Sequence, residues 1–310
     1  VSETLTGEAP IGARTQARVL IPFAIVTLVW SSTWLVIRDQ LGTVPPSWSV
    51  TYRFALAAVA MFAVATLRRD PIRLRGRDQA LAAAVGIAQF TINFNFVYRA
   101  EHYVTSGLVA VVFALLLVPN ALLAWIFLGQ GISRRFLAGS AVAIGGLAML
   151  FLHEIRASAH GATSVLSGIG FTLAGVLFAS SANILQATDR ARALPMTTML
   201  AWAMLWGALA DFIWAWATVG PPQIETRPSY LLGIAYLGLI GSVLTFPLYF
   251  GVIRVIGPAR AAYSSVLIPL FAMALSTLFE GYRWTWEAAA GGALTLFGLV
   301  IALRARSPAR

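Results

Sequence analysis

The 310-residue sequence predicts an all-α integral membrane protein with ten transmembrane helices arranged as two inverted five-helix repeats. Three observations carry that prediction. Hydrophobic residues make up 59% of the chain and charged residues only 11%, whereas a soluble domain carries about a quarter charged residues. The charges cluster at intervals that leave ten apolar runs, each close to the ~20 residues that a membrane-spanning helix needs. Short motifs recur in the same order at an offset of about 150 residues, the mark of an internal repeat. Ten spans use roughly 200 residues, which leaves short tails and tight loops and no soluble catalytic or receptor domain.

Element by element, the apolar runs between charge clusters place helices at 19–37, 47–67, 79–98, 104–127 and 136–153 in the first half, the second of them carrying Arg53. The second half continues with 165–187, 196–218, 230–250, 261–279 and 288–304. None of the runs alternates polar and apolar residues, so transmembrane strands are excluded. The domain reading is a tail over 1–18, a first repeat over 19–155, a second over 156–304 and a tail over 305–310. The first apolar run reads as a span, because Arg38, Asp39 and Gln40 after it are not a small-residue cleavage site.

All 22 basic residues are arginine. With the N-terminus inside, the outer loops hold only Arg38, Arg99, Arg156, Arg227 and Arg283, Arg53 lies within a span, and the rest fall on the inner side. That asymmetry places both termini in the cytoplasm. The formal charge of +10 is explained by topology and an anionic inner leaflet, so the expected partners are the lipid bilayer and a small molecule, with no nucleic acid. Absence of cysteine excludes thiolate metal sites and a cysteine nucleophile.

The repeat aligns Ile21–Thr33 with Ile169–Ser181, Val118-Pro119 with Ile268-Pro269, and Gly139–Gly146 with Gly291–Gly298. Five helices is an odd number, so the second copy enters the membrane upside down, an architecture common among secondary transporters with the site at the repeat interface.

The run from Leu28 to Arg38, with Trp30, Ser31 and Trp34, resembles the first-helix motif of the EamA-type drug/metabolite transporters. Pro45-Pro46 followed by Tyr52-Arg53-Phe54 resembles their second. Pro119 and Pro269, the Phe279-Glu280-Gly281 turn and the Gly291-Gly292…Gly298 helix resemble the shared end of each repeat. The resemblance covers about residues 20–304; the chain departs from the pattern at Ser31, where glycine is common, and at Gln130, where an acid is usual. The aromatic content is similar to the amino-acid and aromatic-amino-acid exporters of the YddG type. The resemblance implies a bacterial cytoplasmic (inner) membrane protein that exports small metabolites, amino acids with apolar or aromatic side chains foremost.

Inward-facing polar and aromatic groups are the candidate substrate contacts, because polar groups facing lipid are costly. Trp30 and Trp34 share a helical face and either line a cavity or pack. Gln89 and Asn93 form one stripe and Asn95 and Tyr98 another; these amides either meet a neutral or zwitterionic metabolite or join helices. The repeat pairs Trp30 with Phe178 and Tyr98 with Tyr249. Tyr98 then falls near the outer end, and Tyr249, Asn183 and Tyr263 near the inner end, as two constrictions around a central aromatic pocket. Pro119 and Pro269 remove a backbone hydrogen bond mid-helix and act as hinges or fixed kinks. Arg53, inside helix 2, either snorkels or pairs structurally, or forks onto a substrate carboxylate. Asp211 reads as interfacial, with proton coupling as the alternative. Trp48, Trp125, Trp214, Trp216, Trp284 and Trp286 read as interface anchors. The glycines of helices 5 and 10 read as a packing seam or a dimer face, so the expected state is a monomer or weak homodimer.

No enzyme chemistry is expected. His102, His153 and His160 fall in outer loops without a zinc-binding spacing, there is no phosphate loop, and no cofactor or metal is called for. Two function classes remain: a secondary transporter or facilitator, and a non-transport membrane protein such as a lipid-handling enzyme or scaffold.

Overall fold

The computed structural model describes residues 13–157, 161–261 and 264–304. Among the described residues all regular structure is helical: α1 (Ala13–Asp39), α2 (Pro46–Leu67), α3 (Arg77–Ala100), α4 (Ser106–Leu128), α5 (Arg134–Ala157), α6 (Gly161–Ala187), α7 (Met196–Val219), α8 (Pro228–Ile256), α9 (Ser264–Phe279) and α10 (Trp286–Arg304). Nine of these are long and apolar enough to cross a bilayer; the apolar stretch of α9, Leu267–Phe279, is shorter. Connections alternate between two ends of the bundle, here called the Asp39 end and the Leu67 end.

Local chemistry sets the helix details. α2 begins with Pro46 at its first turn, where the missing N–H costs nothing. α4 ends at Gly129 with φ 67°, a left-handed conformation that glycine adopts without strain. Pro119 has no N–H to offer the Leu115 carbonyl, and the chain tightens to a 3₁₀ turn over Ala114–Leu116. The sequence predicts the end of α8 at residue 250, whereas the helix runs to Ile256, past Arg254. The half-buried guanidinium there donates to the Leu194 carbonyl (2.9 Å) and to Gln186 Oε1 (3.1 Å), so its charge needs no loop. α3 and α8 each contain a π-helical stretch, Ile87–Asn93 and Tyr236–Leu244, and such segments cluster at functional sites.

The packing is reciprocal. α1 packs against α8 and α9, and α6 against α3 and α4; α2 packs against α8, and α7 against α3. The α2–α7, α4–α9 and α5–α10 pairs complete the set. Close approach follows from small residues. A Cβ on Gly86 would lie 2.1 Å from the Ala203 carbonyl oxygen, and one on Gly298 would lie 2.3 Å from the Ala143 nitrogen. The glycines of α5 and α10 thus form a seam inside one chain, Gly139 and Gly146 against Gly298 and Gly291.

Large apolar side chains such as Leu20, Val59, Ile213 and Leu278 point outward, the arrangement expected of helices bathed in lipid. Trp125, Trp214, Trp216, Trp284 and Trp286 are exposed, as anchors require; Trp48 is not an anchor, being fully buried with Ala215, Tyr230 and Ile234. Asp211 is likewise internal rather than interfacial. It is fully buried and accepts a 2.7 Å hydrogen bond from Asn95 Nδ2, which fixes the Asn95 stripe on α7 instead of the bundle centre.

Candidate functional site

A cavity opens where α1, α2, α3, α4, α6, α8 and α9 converge. Trp30, Trp34, Arg53, Gln89, Asn93, Asn183 and Tyr249 all line it, together with Thr33, Phe94, Phe113 and Phe246. Its volume is ≈ 80 Å³.

The aromatic wall is cross-braced. Trp30 lies 4.9 Å from the Tyr249 ring and 5.3 Å from Phe246, and its indole N–H donates to Thr245 Oγ1 at 2.9 Å. Trp34 meets Phe113 at 5.5 Å. Gln89 and Asn93 come from the π stretch of α3, where Asn93 Nδ2 donates to the Gln89 carbonyl at 3.2 Å. Asn93 Oδ1 is buried without a hydrogen-bond partner.

Arg53 does not snorkel: it is 1% exposed. Its Nε donates to Ser242 Oγ at 3.2 Å, and Ser242 Oγ donates to the Leu237 carbonyl. The guanidinium carbon sits 4.3 Å from the Phe94 centroid and 5.0 Å from that of Phe54, and Tyr98 lies beside it. Among the described residues no carboxylate reaches salt-bridge distance of Arg53, and its Nη1 has no hydrogen-bond partner. A buried cation without a carboxylate partner costs several kcal/mol.

Polar, hydrogen-bonded groups flank the cavity on both sides. Toward the Asp39 end, Tyr98 is fully buried behind the wall rather than in it and donates to Gln40 Oε1 at 3.0 Å. Toward the Leu67 end, Asn120 Oδ1 accepts from Ser180 Oγ (2.7 Å) and Asn183 Nδ2 (3.2 Å). Asn183 Nδ2 also reaches Tyr249 Oη at 3.4 Å. Asn120, Ser180 and Gln40 are absent from the sequence-derived set; the signal available for Asn120 is an amide in an otherwise apolar run. Phe178 does not line the cavity: it faces Phe96 at 6.2 Å, and Ala179 takes the lining position. Tyr263 lies outside the described residues. Pro119 and Pro269 both sit within helices, α4 and α9.

The Asn120 network yields a stability prediction. Asn120→Leu strands two buried donors and is expected to cost ~1–3 kcal/mol, read as a lower thermal midpoint of the purified protein. The double variant Asn120→Leu/Ser180→Ala, which removes the stranded hydroxyl as well, is expected to regain part of the loss; no recovery would show that the bond is not the source.

A chain this apolar, all helical and hollowed by a polar-aromatic cavity is a polytopic membrane protein. It belongs to the EamA-like transporter family, which matches residues 18–152 and again residues 166–304; the protein is a membrane transporter. It is 27% identical over 263 residues to protein PagO of Salmonella typhimurium, covering 84% of this chain and 85% of PagO. The inner membrane transporter YedA of Escherichia coli is 27% identical over 260 residues, 82% of this chain and 80% of YedA. A probable terminal-alkyne amino-acid exporter of Streptantibioticus cattleyicolor is 26% identical over 283 residues, 89% of this chain and 90% of that one. A solved crystal structure superposes with a TM-score of 0.66 at 18% identity, over 93% of this chain and 96% of that chain, a likeness of fold.

Proposed function

We propose that the protein is a secondary transporter or facilitator that exports amino acids, aromatic ones included, across the cytoplasmic membrane by alternating access around the central cavity. The observation that carries this reading is Arg53: a buried guanidinium with a free N–H at the edge of a cavity walled by tryptophan, phenylalanine and amides. Guanidinium suits a carboxylate, the amides suit an ammonium or amide group, and the aromatic wall suits an apolar side chain. The relative named as an amino-acid exporter and the inner-membrane relative support the substrate class and the location.

The architecture proposed is ten spans in two inverted repeats, 19–155 and 156–304, flanked by cytoplasmic tails, with the Asp39 end outside and the Leu67 end inside. Support comes from the two family matches, from the reciprocal helix packing and from π stretches at corresponding places in α3 and α8. In this reading Tyr98–Gln40 closes the outer side and Tyr249–Asn183–Asn120 the inner side. Pro119 and Pro269 are the hinge positions, where a missing backbone bond makes bending cheap. The working unit is a monomer or weak homodimer.

Proteoliposomes loaded with labelled phenylalanine test the reading, with and without an imposed pH gradient. Protein-dependent efflux that unlabelled amino acids compete away is the expected result. Efflux of other metabolites without any amino acid would leave the transporter and remove the amino-acid reading.

A further inference from the structure

At the Asp39 end, away from the cavity wall, three charged groups from separate parts of the chain converge. Arg38 lies in the last turn of α1, Glu101 follows α3, and Glu280 follows α9. The Arg38 guanidinium donates to the backbone carbonyl of Glu101 and lies 3.8 Å from Glu280 Oε1. Glu280 in turn accepts from Ser106 at the start of α4, by Oγ at 2.7 Å and by the backbone amide at 3.4 Å. The cluster therefore ties α1, α4 and the α9–α10 turn together over the α3–α4 connection.

Glu101 is the anomaly in this cluster. It is fully buried, and neither carboxylate oxygen has a hydrogen-bond partner. Arg38 is 43% exposed and engages Glu280 and the Glu101 backbone, so among the described residues the cation beside the Glu101 carboxyl is already occupied. An ionised carboxylate in that position is costly, whereas a protonated one is neutral.

We propose that Glu101 is a proton-binding site of this transporter: it holds a proton while the Asp39 end is shut by Arg38 and Glu280, and releases it to outside water when that end opens. The role rests on the alternating-access reading above and names the ion to which opening is linked. The groups facing Glu101 agree with it. Among the described residues, Glu280 repels a second negative charge, Tyr98 on α3 is a buried hydroxyl nearby, and Arg38 is the cation that attracts the Glu101 carboxyl. Burial, then the Glu280 carboxylate, hold the Glu101 carboxyl well above the ordinary carboxylate range, against the pull of Arg38. Burial, then Arg38, push the imidazole of His102 beside it down, which disfavours a counter-charge there. The sign follows: the shut form is fully favoured at low pH, and its advantage falls as pH rises from the open-form value through the shut-form value, by up to about tenfold per pH unit for one proton.

The chain has no cysteine, so a single reporter suffices. Ala110→Cys places a thiol on the cavity wall, and Gln223→Cys on the exposed connection at the same end supplies the reference. Spheroplasts are labelled with a membrane-impermeant maleimide between pH 5 and pH 8.5, and the Ala110→Cys rate is divided by the reference rate. The ratio is expected to rise with pH. Glu101→Gln, neutral at every pH, is expected to give a low, flat ratio while melting like the parent. Glu280→Gln is expected to move the rise to lower pH, because Glu101 then ionises more easily. A flat ratio in the parent, or a Glu101→Gln variant that keeps the parent's pH dependence, would overturn the proposal. The readout needs no substrate: pH-dependent labelling without amino-acid efflux leaves the proton site and removes the substrate reading, and efflux with pH-independent labelling does the reverse.

Discussion

Arg53→Leu is expected to lower amino-acid efflux at least ~100-fold while leaving the protein as heat-stable as the parent or more so. The two halves of that result come from one observation. Arg53 is 1% exposed, and among the described residues it has no carboxylate partner. A charge-assisted hydrogen bond contributes ~1.5–3 kcal/mol, and each 1.4 kcal/mol is tenfold, so loss of both fork contacts to a carboxylate reaches or exceeds two decades. Removing an uncompensated buried cation in favour of an apolar group of similar size relieves a desolvation cost instead of adding one. A purely structural arginine predicts the opposite pairing, in which Ser242 loses its partner and stability falls with activity. Arg53→Lys keeps the charge but not the planar fork, and is expected to lose about tenfold, mainly through KM. A ligand series sharpens the test. Phenylalanine should raise the melting temperature of the parent and not of Arg53→Leu, and phenethylamine, which lacks the carboxylate, should raise neither.

Most of the helical layout was legible because charge is so costly in lipid that its few appearances mark helix ends. The same rule misled wherever a charged or amphipathic group is satisfied inside the bundle. Arg254 marks no boundary because Leu194 and Gln186 hold it; Glu101 reads as a loop residue yet is fully buried. Trp48 sits near a helix end, where a belt residue belongs, but Tyr230 and Ala215 cover it. Phe178 shows the limit of repeat arithmetic. An alignment displaced by one residue turns a helical side chain by about 100°, which is the difference between Phe178 on Phe96 and Ala179 on the cavity. The π stretches were not legible at all, since neither run carries a composition that marks one; the close approaches of Gly207 to Phe90 and of Gly238 to Leu56 appear only once the helices are packed. The seven cavity-lining candidates were legible because a polar or aromatic group in mid-membrane has few places to go except inward.

Gly298→Ala is expected to be the most destabilising methyl addition in the chain's second half, and Gly292→Ala, six residues earlier on α10, among the mildest. A Cβ at 298 would meet the Ala143 nitrogen at 2.3 Å, the Gly139 oxygen at 2.6 Å and the Ala143 Cα at 2.8 Å. These are backbone atoms, so no side-chain rotation relieves the clash and α5 must move away from α10. Overpacking of a well-packed contact costs ~1–3 kcal/mol, and the lost seam between the two helices adds to it. At 292 nothing lies within 4 Å, and alanine's better helix propensity favours the change by up to ~1 kcal/mol. Thermal unfolding of the two purified variants should therefore bracket the parent; equal midpoints would show that the α5–α10 seam is looser than its geometry. The pairing also predicts how a second lesion combines. Gly146→Ala meets the Thr295 nitrogen at 2.4 Å on the same seam, so once Gly298→Ala has parted the helices the second methyl finds space already open. The double variant should lose less than the sum of the two single losses, the coupling expected of residues that share one displacement.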